Sequence, residues 1–524
     1  MNGDMVLAVA EEERLLYTDI YEDILRNQLL TALDYINTHQ KDSFVIKDRF
    51  DDFLTLLDQA QRYPKLVGVF VNITSALCSW IQHWGYWGDW QRHLRFAAEI
   101  CEVSGDKAAQ AIFWDQLADI EFNTGNLDEA LATRTKIIEI ARDNNLPLLL
   151  AKSAAGLSEA YNSMSLPNEA EDLIDQLLQD EMILACDNPL GLATLELAKA
   201  TLLRRRGFIT AALECSKRAV DYLEGNSAIN LVDLAYGYKD RGLMYWAHGD
   251  YDDAANDLLA AVNLFGQEGL IFPQAFANSN LGLLYWSVCQ LDLAEEVISK
   301  GIKVFSELNA HKHLTSSIGN LGLVYLSRGQ LTDAFYYISK QLDDAQTLGI
   351  ESEAFRAIGN RGVVRFYLGE YEAALSDLGF EQRLDYLQQF AGRELLGLTY
   401  AYLSRIYDKL GQKGRADEYS ERVSAIAHDS NSLALDIIAL RCAAHCQFGE
   451  EQIATLQKAV ALSRGKRPMD EAGCLLFLSE LEHNADERTN LWNSAKAILD
   501  QMGAQYWLQN LTPNDAVPQM PLMV

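Results

Sequence analysis

Asn280-Leu281-Gly282-Leu283-Leu284-Tyr285 and its later copy Asn320-Leu321-Gly322-Leu323-Val324-Tyr325 decide how this chain is read. Each is followed by a short turn, Cys289-Gln290-Leu291 or Gly329-Gln330-Leu331, and then by an alanine, Ala294 or Ala334. The template stands one period earlier as Asp240-Arg241-Gly242-Leu243-Met244-Tyr245, with Gly249, Tyr251 and Ala254. It stands again one period later as Asn360-Arg361-Gly362, with Gly369, Tyr371 and Ala374. A fixed period of about 40 residues, with Gly, Tyr, Gly and Ala at constant offsets, marks an array of helical hairpins. The first Gly lets the two helices of a hairpin approach closely, and the Tyr fills the volume beside it. The second Gly accepts the left-handed conformation that ends a helix. The Ala holds the second helix against the first, and the apolar face left over is covered by the next hairpin.

Weaker copies extend outward from these four. Upstream anchors are Ala118, Ser158 and Ala200; downstream ones are Ser404 and Cys442. From Ala118 to Cys442, through the four clear glycines, every step stays close to the same period. Two units depart from the pattern, with Cys289 at the turn glycine and Arg365 at the tyrosine. The array is placed at 66–462, about nine hairpins. Residues 1–65 carry no repeat signature but show helical periodicity (Leu15, Leu16, Ile20, Ile24, Leu25, Leu29, Leu33, Ile36, then Phe50, Phe53, Leu54, Leu56, Leu57), so they are assigned as an N-terminal helical cap. Residues 463–508 are assigned as a C-terminal helical cap, and 509–524, with Pro513, Pro518 and Pro521, as a flexible tail. The first hairpin, Val67–Glu102, carries Trp80, Trp84, Trp87 and Trp90. They form either an aromatic binding patch or the core of a helix junction. The core reading is favoured because Gly88-Asp89-Trp90 takes the place of Gly125-Asn126-Leu127 in the next repeat.

Composition limits the partners. The 524 residues carry 44 Lys+Arg against 74 Asp+Glu, a net charge of −30. Such a field repels phosphate backbones and anionic lipid, so direct nucleic-acid binding is disfavoured. The N-terminus has no basic region ahead of an apolar run, and no stretch of about 18 apolar residues is present, so neither a secretory signal nor a membrane span is expected. Eight scattered Cys without CxxC spacing fit reduced thiols in a cytoplasmic protein.

No catalytic constellation is apparent, and a non-enzyme without cofactor or metal is expected. His311-Lys312-His313 is an HxH pair, but its context, Asn309-Ala310-His311-Lys312-His313, reads as an inter-helix loop, and no second ligand cluster accompanies it. His445-Cys446 are sequence neighbours, which diverge by about 100° on a helix and do not face each other. Phosphate-loop and dinucleotide-binding glycine patterns are missing.

On the residues quoted above, the chain resembles the tetratricopeptide repeat family, most specifically over 236–378. Its long period is similar to kinesin light chains, Pins-type adaptors, peptide-pheromone receptors and MalT-like sensors. The resemblance implies an all-α, right-handed superhelical solenoid whose first helices line a concave groove for a peptide or protein segment. Carried over residue by residue, it implies a ladder of Asn280, Asn320 and Asn360, with Asp240 in line. An asparagine amide offers both a donor and an acceptor to a bound backbone. The neighbouring turns would add Lys239, Trp246, Phe276, Trp286, Arg356, Phe366 and Tyr367, extended by Arg204–Arg206 and Arg405. The competing readings are that the asparagines satisfy nearby backbone, that the aromatics are inter-repeat core, and that Arg204–Arg206 cap a helix end. The function implied is a non-catalytic binding scaffold. The alternative is a sensor or regulatory subunit acting on a separate transcription or signalling effector, and an unrecognised enzyme is a minor third. Partner identity and oligomeric state stay open.

Overall fold

The computed structural model describes residues 2–39, 43–81, 87–123, 126–164, 166–186, 189–225, 230–308, 310–390, 393–428, 430, 432–509, 511–513, 515–516 and 519–522. Among the described residues every regular element is helical, and consecutive helices pack as neighbours. They form two compact units. One comprises Met1–Leu202, Thr210–Arg241 and Ala260–Gln274; the other comprises Leu203–Ile209, Gly242–Leu259 and Ala275–Val524.

The first unit opens with a long helix, Asn2–Thr38, whose Leu25, Leu29 and Ile36 are buried. Ile20 and Ile24, counted with that stripe on periodicity alone, face outward instead. Phe50, Phe53 and Leu57 of the helix Phe50–Ala60 complete the apolar side. Helix pairs follow, such as Lys107–Asn123 with Leu127–Asp143. In that pair the buried Arg134 is clamped by Asp115 and Asp119. Trp90 is core, as the turn comparison favours. Trp80, Trp84 and Trp87 lie outside the described side chains.

The clearest hairpins, in the second unit from Ala275 on, are Ile271–Ser287 with Leu291–Glu307, His311–Arg328 with Leu331–Thr347, and Glu351–Tyr367 with Tyr371–Leu378. Their crossing points repeat. A Cβ built on Gly242 meets Leu258 Cγ at 3.1 Å, one on Gly282 meets Ile298 Cγ1 at 2.6 Å, one on Gly322 meets Ile338 Cγ1 at 2.6 Å, and one on Gly362 meets Leu378 Cγ at 2.7 Å. The partner stands at the same sequence offset from each glycine, so one crossing geometry is used four times. The turns repeat as well. Gly249, Gly329 and Gly369 have φ of 96, 89 and 80°, and Cys289 takes the same left-handed conformation at 59° despite its side chain. The repeat geometry has overridden the local preference at that position, at a cost of about 1 kcal/mol. Arg365, at the tyrosine position, is held by Asp377, which also receives both arms of Arg361 at 2.9 and 2.6 Å.

Two sequence expectations change here. His311–His313 are the first residues of a helix rather than a loop, because Ala310 is its N-terminal boundary. Finally, Met520 and Leu522, in the segment taken as a flexible tail, are 1% and 4% exposed.

Candidate functional site

The ladder positions fall on the first helices of three consecutive hairpins. Asn280 and Asn360 are half-buried, and Asn320 is 5% exposed. Their environment is unsatisfied: the buried Nδ2 of Asn280 and the buried Oδ1 of Asn320 have no hydrogen-bond partner. One is a donor and the other an acceptor, on adjacent repeats. The seam beside them is polar. Ser279 Oγ lies 3.5 Å from Ser317 Oγ, and Arg356 Nη2 donates to Ser316 Oγ at 2.7 Å and Glu353 Oε2 at 2.6 Å. Arg356 is therefore a brace between neighbouring first helices, not the free cationic edge anticipated from its phase.

The aromatic positions divide. Trp246 packs, half-buried, on the cluster of Ala254, Leu258, Leu281 and Leu284. Phe276 is half-buried, with the His313 ring edge-on at 5.2 Å. Trp286 donates from Nε1 to Ser327 Oγ at 2.9 Å, which ties its hydroxyl-facing edge to the next hairpin. Phe366 is 4% exposed, edge-on to Tyr367 and Tyr402, so it is core rather than groove lining. Tyr367 is covered by Trp507, whose ring stands against it at 5.1 Å and whose Nε1 donates to Ser327 O at 2.9 Å. Lys239 lies in the first unit, paired with Asp240 at 3.0 Å and set over the Tyr236 ring. Arg405 is buried, unlike the exposed groove edge that its position suggested.

The repeated crossing glycine, the left-handed turn and the inter-hairpin seam together decide the fold. The chain has a tetratricopeptide-like helical-repeat fold. No family model matches its sequence, and no curated protein matches it either. Among solved structures, this tetratricopeptide-like chain is similar to the Rap protein complexed with Competence and Sporulation Factor, at 12% identity over 77% of this chain and 99% of that one, with a TM-score of 0.49. It is also similar to NprR in complex with its cognate peptide NprX, at 16% identity over 67% and 99%, with a TM-score of 0.48. A tetratricopeptide repeat protein from Parabacteroides merdae matches at 16% identity over 55% and 97%, with a TM-score of 0.36. At these identities the likeness is one of fold.

The reactive side chains are poorly placed for chemistry. All eight cysteines are free. Burial pushes the thiols of Cys78 and Cys289 up to about 12 and those of Cys215, Cys446 and Cys474 up to about 11, away from the thiolate a nucleophile needs. His313 is lowered to about 4 by burial between Phe276 and Phe305, with Lys312 adding to the effect. His445, stacked on Phe477 at 4.6 Å, is also lowered, first by burial and then by nearby arginines. Among the described residues no helix is long and apolar enough to cross a membrane.

Proposed function

We propose that this chain is a non-catalytic tetratricopeptide-like scaffold that binds an extended peptide or protein segment along the first helices of its second unit. The observation that carries this reading is the pair of buried, unpartnered amide atoms on Asn280 and Asn320. Leaving a buried polar group unsatisfied costs about 1–3 kcal/mol. A bound backbone offers a carbonyl to Asn280 Nδ2 and an N–H to Asn320 Oδ1, and so removes that penalty. Half-buried Phe276 and Trp286 supply apolar contact on the same hairpins, in the manner of binding anchors. Recognition through main-chain groups tolerates many ligand sequences, so the partner's side chains set specificity only where they meet these rings.

The test is selection from a displayed peptide library on the purified full chain, followed by binding of the selected peptides to Asn280→Ala/Asn320→Ala/Asn360→Ala. Peptides that lose about tenfold affinity, roughly 1.4 kcal/mol, support the reading. Selected peptides that bind the triple variant as well as the unmodified chain would falsify it.

A further inference from the structure

Two arginine side chains are buried in the second unit, one well partnered and one not. Arg441, 4% exposed, meets Asp470 and donates from Nη1 to Pro521 O at 3.0 Å and from Nη2 to Met520 O at 2.8 Å. Arg405, 2% exposed, has no carboxylate among the described residues within ion-pair reach. Its Nη1 touches Met520 O only at 3.4 Å, and its Nε has no partner. Asp470 is shared with Arg467 Nε at 2.8 Å. Asp470 thus serves Arg441 and Arg467, while Arg405, which meets the same Met520 carbonyl as Arg441, has no carboxylate of its own among the described residues.

Residues 520–522 lie against this cluster as a ligand would. Their carbonyls go to arginine head groups, the Leu522 N–H donates to Tyr402 Oη at 3.1 Å, and the Met520 and Leu522 side chains are buried. Met520 presses on the backbone of Gly473, where an added Cβ would stand 2.9 Å from its own. No regular secondary structure holds the segment. The link leading to it is exposed at Thr512, Asp515 and Ala516 and bonded to itself, with Thr512 N and Oγ1 donating to Asp515 Oδ2 at 2.6 and 2.7 Å. The grip is therefore short, and among the described positions ahead of it Thr512, Asp515 and Ala516 face solvent.

We infer that the pocket of Tyr402, Arg405, Arg441 and Gly473 is a binding site for an extended apolar–Pro–apolar segment, that Met520-Pro521-Leu522 occupies it in cis, and that a partner segment of the same chemistry enters by displacing it. The cis segment leaves Arg405 with one long bond and an idle Nε, so a ligand that sets an acceptor squarely on Arg405 gains a charge-assisted bond that the resident segment lacks. Displacement has to overcome the effective concentration of the tethered segment, on the order of mM for a short link. The site is separate from the asparagine ladder and does not rest on it.

The probe is a labelled synthetic peptide of residues 511–522, titrated against the unmodified full chain and against Met520→Arg/Leu522→Arg, whose added charges are repelled by Arg405 and Arg441. The variant is expected to bind the peptide at least tenfold tighter than the unmodified chain, and adding Arg405→Met to it is expected to weaken that binding several-fold. Asn320→Ala/Asn360→Ala leaves this binding unchanged, so failure here and failure of the ladder reading are told apart. Equal affinity for both chains, or no binding to a variant that keeps its helix content by circular dichroism, overturns the proposal. Should the variant lose its helix content, the unmodified chain decides. Faster hydrogen exchange at the Leu522 amide in excess peptide supports displacement, and unchanged protection overturns it.

Discussion

Gly282→Ala is the sharpest probe of the hairpin crossing. The new Cβ lands 2.6 Å from Ile298 Cγ1 and 3.0 Å from Val297 Cγ2. Ile298 is fully buried, so it cannot swing aside into solvent, and the two helices must separate or Ile298 must leave its rotamer. Overpacking of this kind costs about 1–3 kcal/mol, partly offset by the roughly 1 kcal/mol that Ala gains over Gly in a helix interior, so the net cost is about 0–2 kcal/mol. Ile298→Ala by itself should cost about 2–5 kcal/mol through lost burial and a cavity. In the double variant the added methyl occupies space that Ile298 has vacated, so the two costs should fail to add by at least about 1 kcal/mol. Urea unfolding followed by circular dichroism gives the stabilities, and hydrogen exchange over 271–287 reports whether the loss is local. A Gly282→Ala stability gain of about 0.5 kcal/mol or more, or a double variant additive within about 0.5 kcal/mol, refutes close helix contact as the reason for this glycine.

Other outcomes follow from the same geometry. Asn320→Ala/Asn360→Ala should not lower the unfolding midpoint, because removing the unpartnered Asn320 Oδ1 relieves a buried polar penalty that offsets the lost packing, while binding of a selected peptide weakens; parallel loss of both assigns these residues to structure. Acid should destabilise the chain through His313. Its native pKa of about 4 lies below the unfolded value near 6.5, so the unfolded chain takes the proton first and stability falls as pH drops from about 6.5 to 4, by on the order of 1–2 kcal/mol at pH 5. His313→Gln should flatten that slope in urea titrations at pH 7 and pH 5. Gly329→Ala combines φ of 89° with a Cβ 3.0 Å from Trp507 N, and should destabilise by about 1–3 kcal/mol and raise exchange at Trp507; an unperturbed Trp507 amide argues against the contact. At pH 8, Cys78, Cys289 and Cys474 should resist a disulfide-exchange reagent until the chain is unfolded, read as the number of thiols released before and after denaturant.

Much of the fold was legible because each hairpin is specified by residues within one period. Gly282 meets Ile298 inside a single hairpin, and Gly329 follows Gly322 along the same stretch of chain, so glycine, tyrosine and alanine spacing carries the local geometry. The ladder was legible only as a phase. That Asn280 and Asn320 are unpartnered, while Arg356 is spent on Ser316 and Glu353, depends on side chains one repeat away, whose rotamers no single-repeat pattern encodes. Ile20 and Ile24 show the same limit, since a helical stripe says which residues share a face but not which element covers it.

The sequence alone determined a helical-repeat chain, its period, its crossing glycines and the left-handed turns at the glycines, because these are set by contacts made within a hairpin or between neighbouring ones; that Cys289 takes the same turn was shown by the structure. Only the tertiary structure decided that Phe366 is core, that Trp507 reaches Ser327 across 180 positions, and that Met520–Leu522 lie on Arg405, Arg441 and Tyr402. Proline-rich composition implies an extended segment that forms no helix, yet an extended segment is also the shape that fits between arginine side chains. Whether it stays in solvent or docks depends on a surface built from distant repeats, and such a surface exists only once those repeats have stacked.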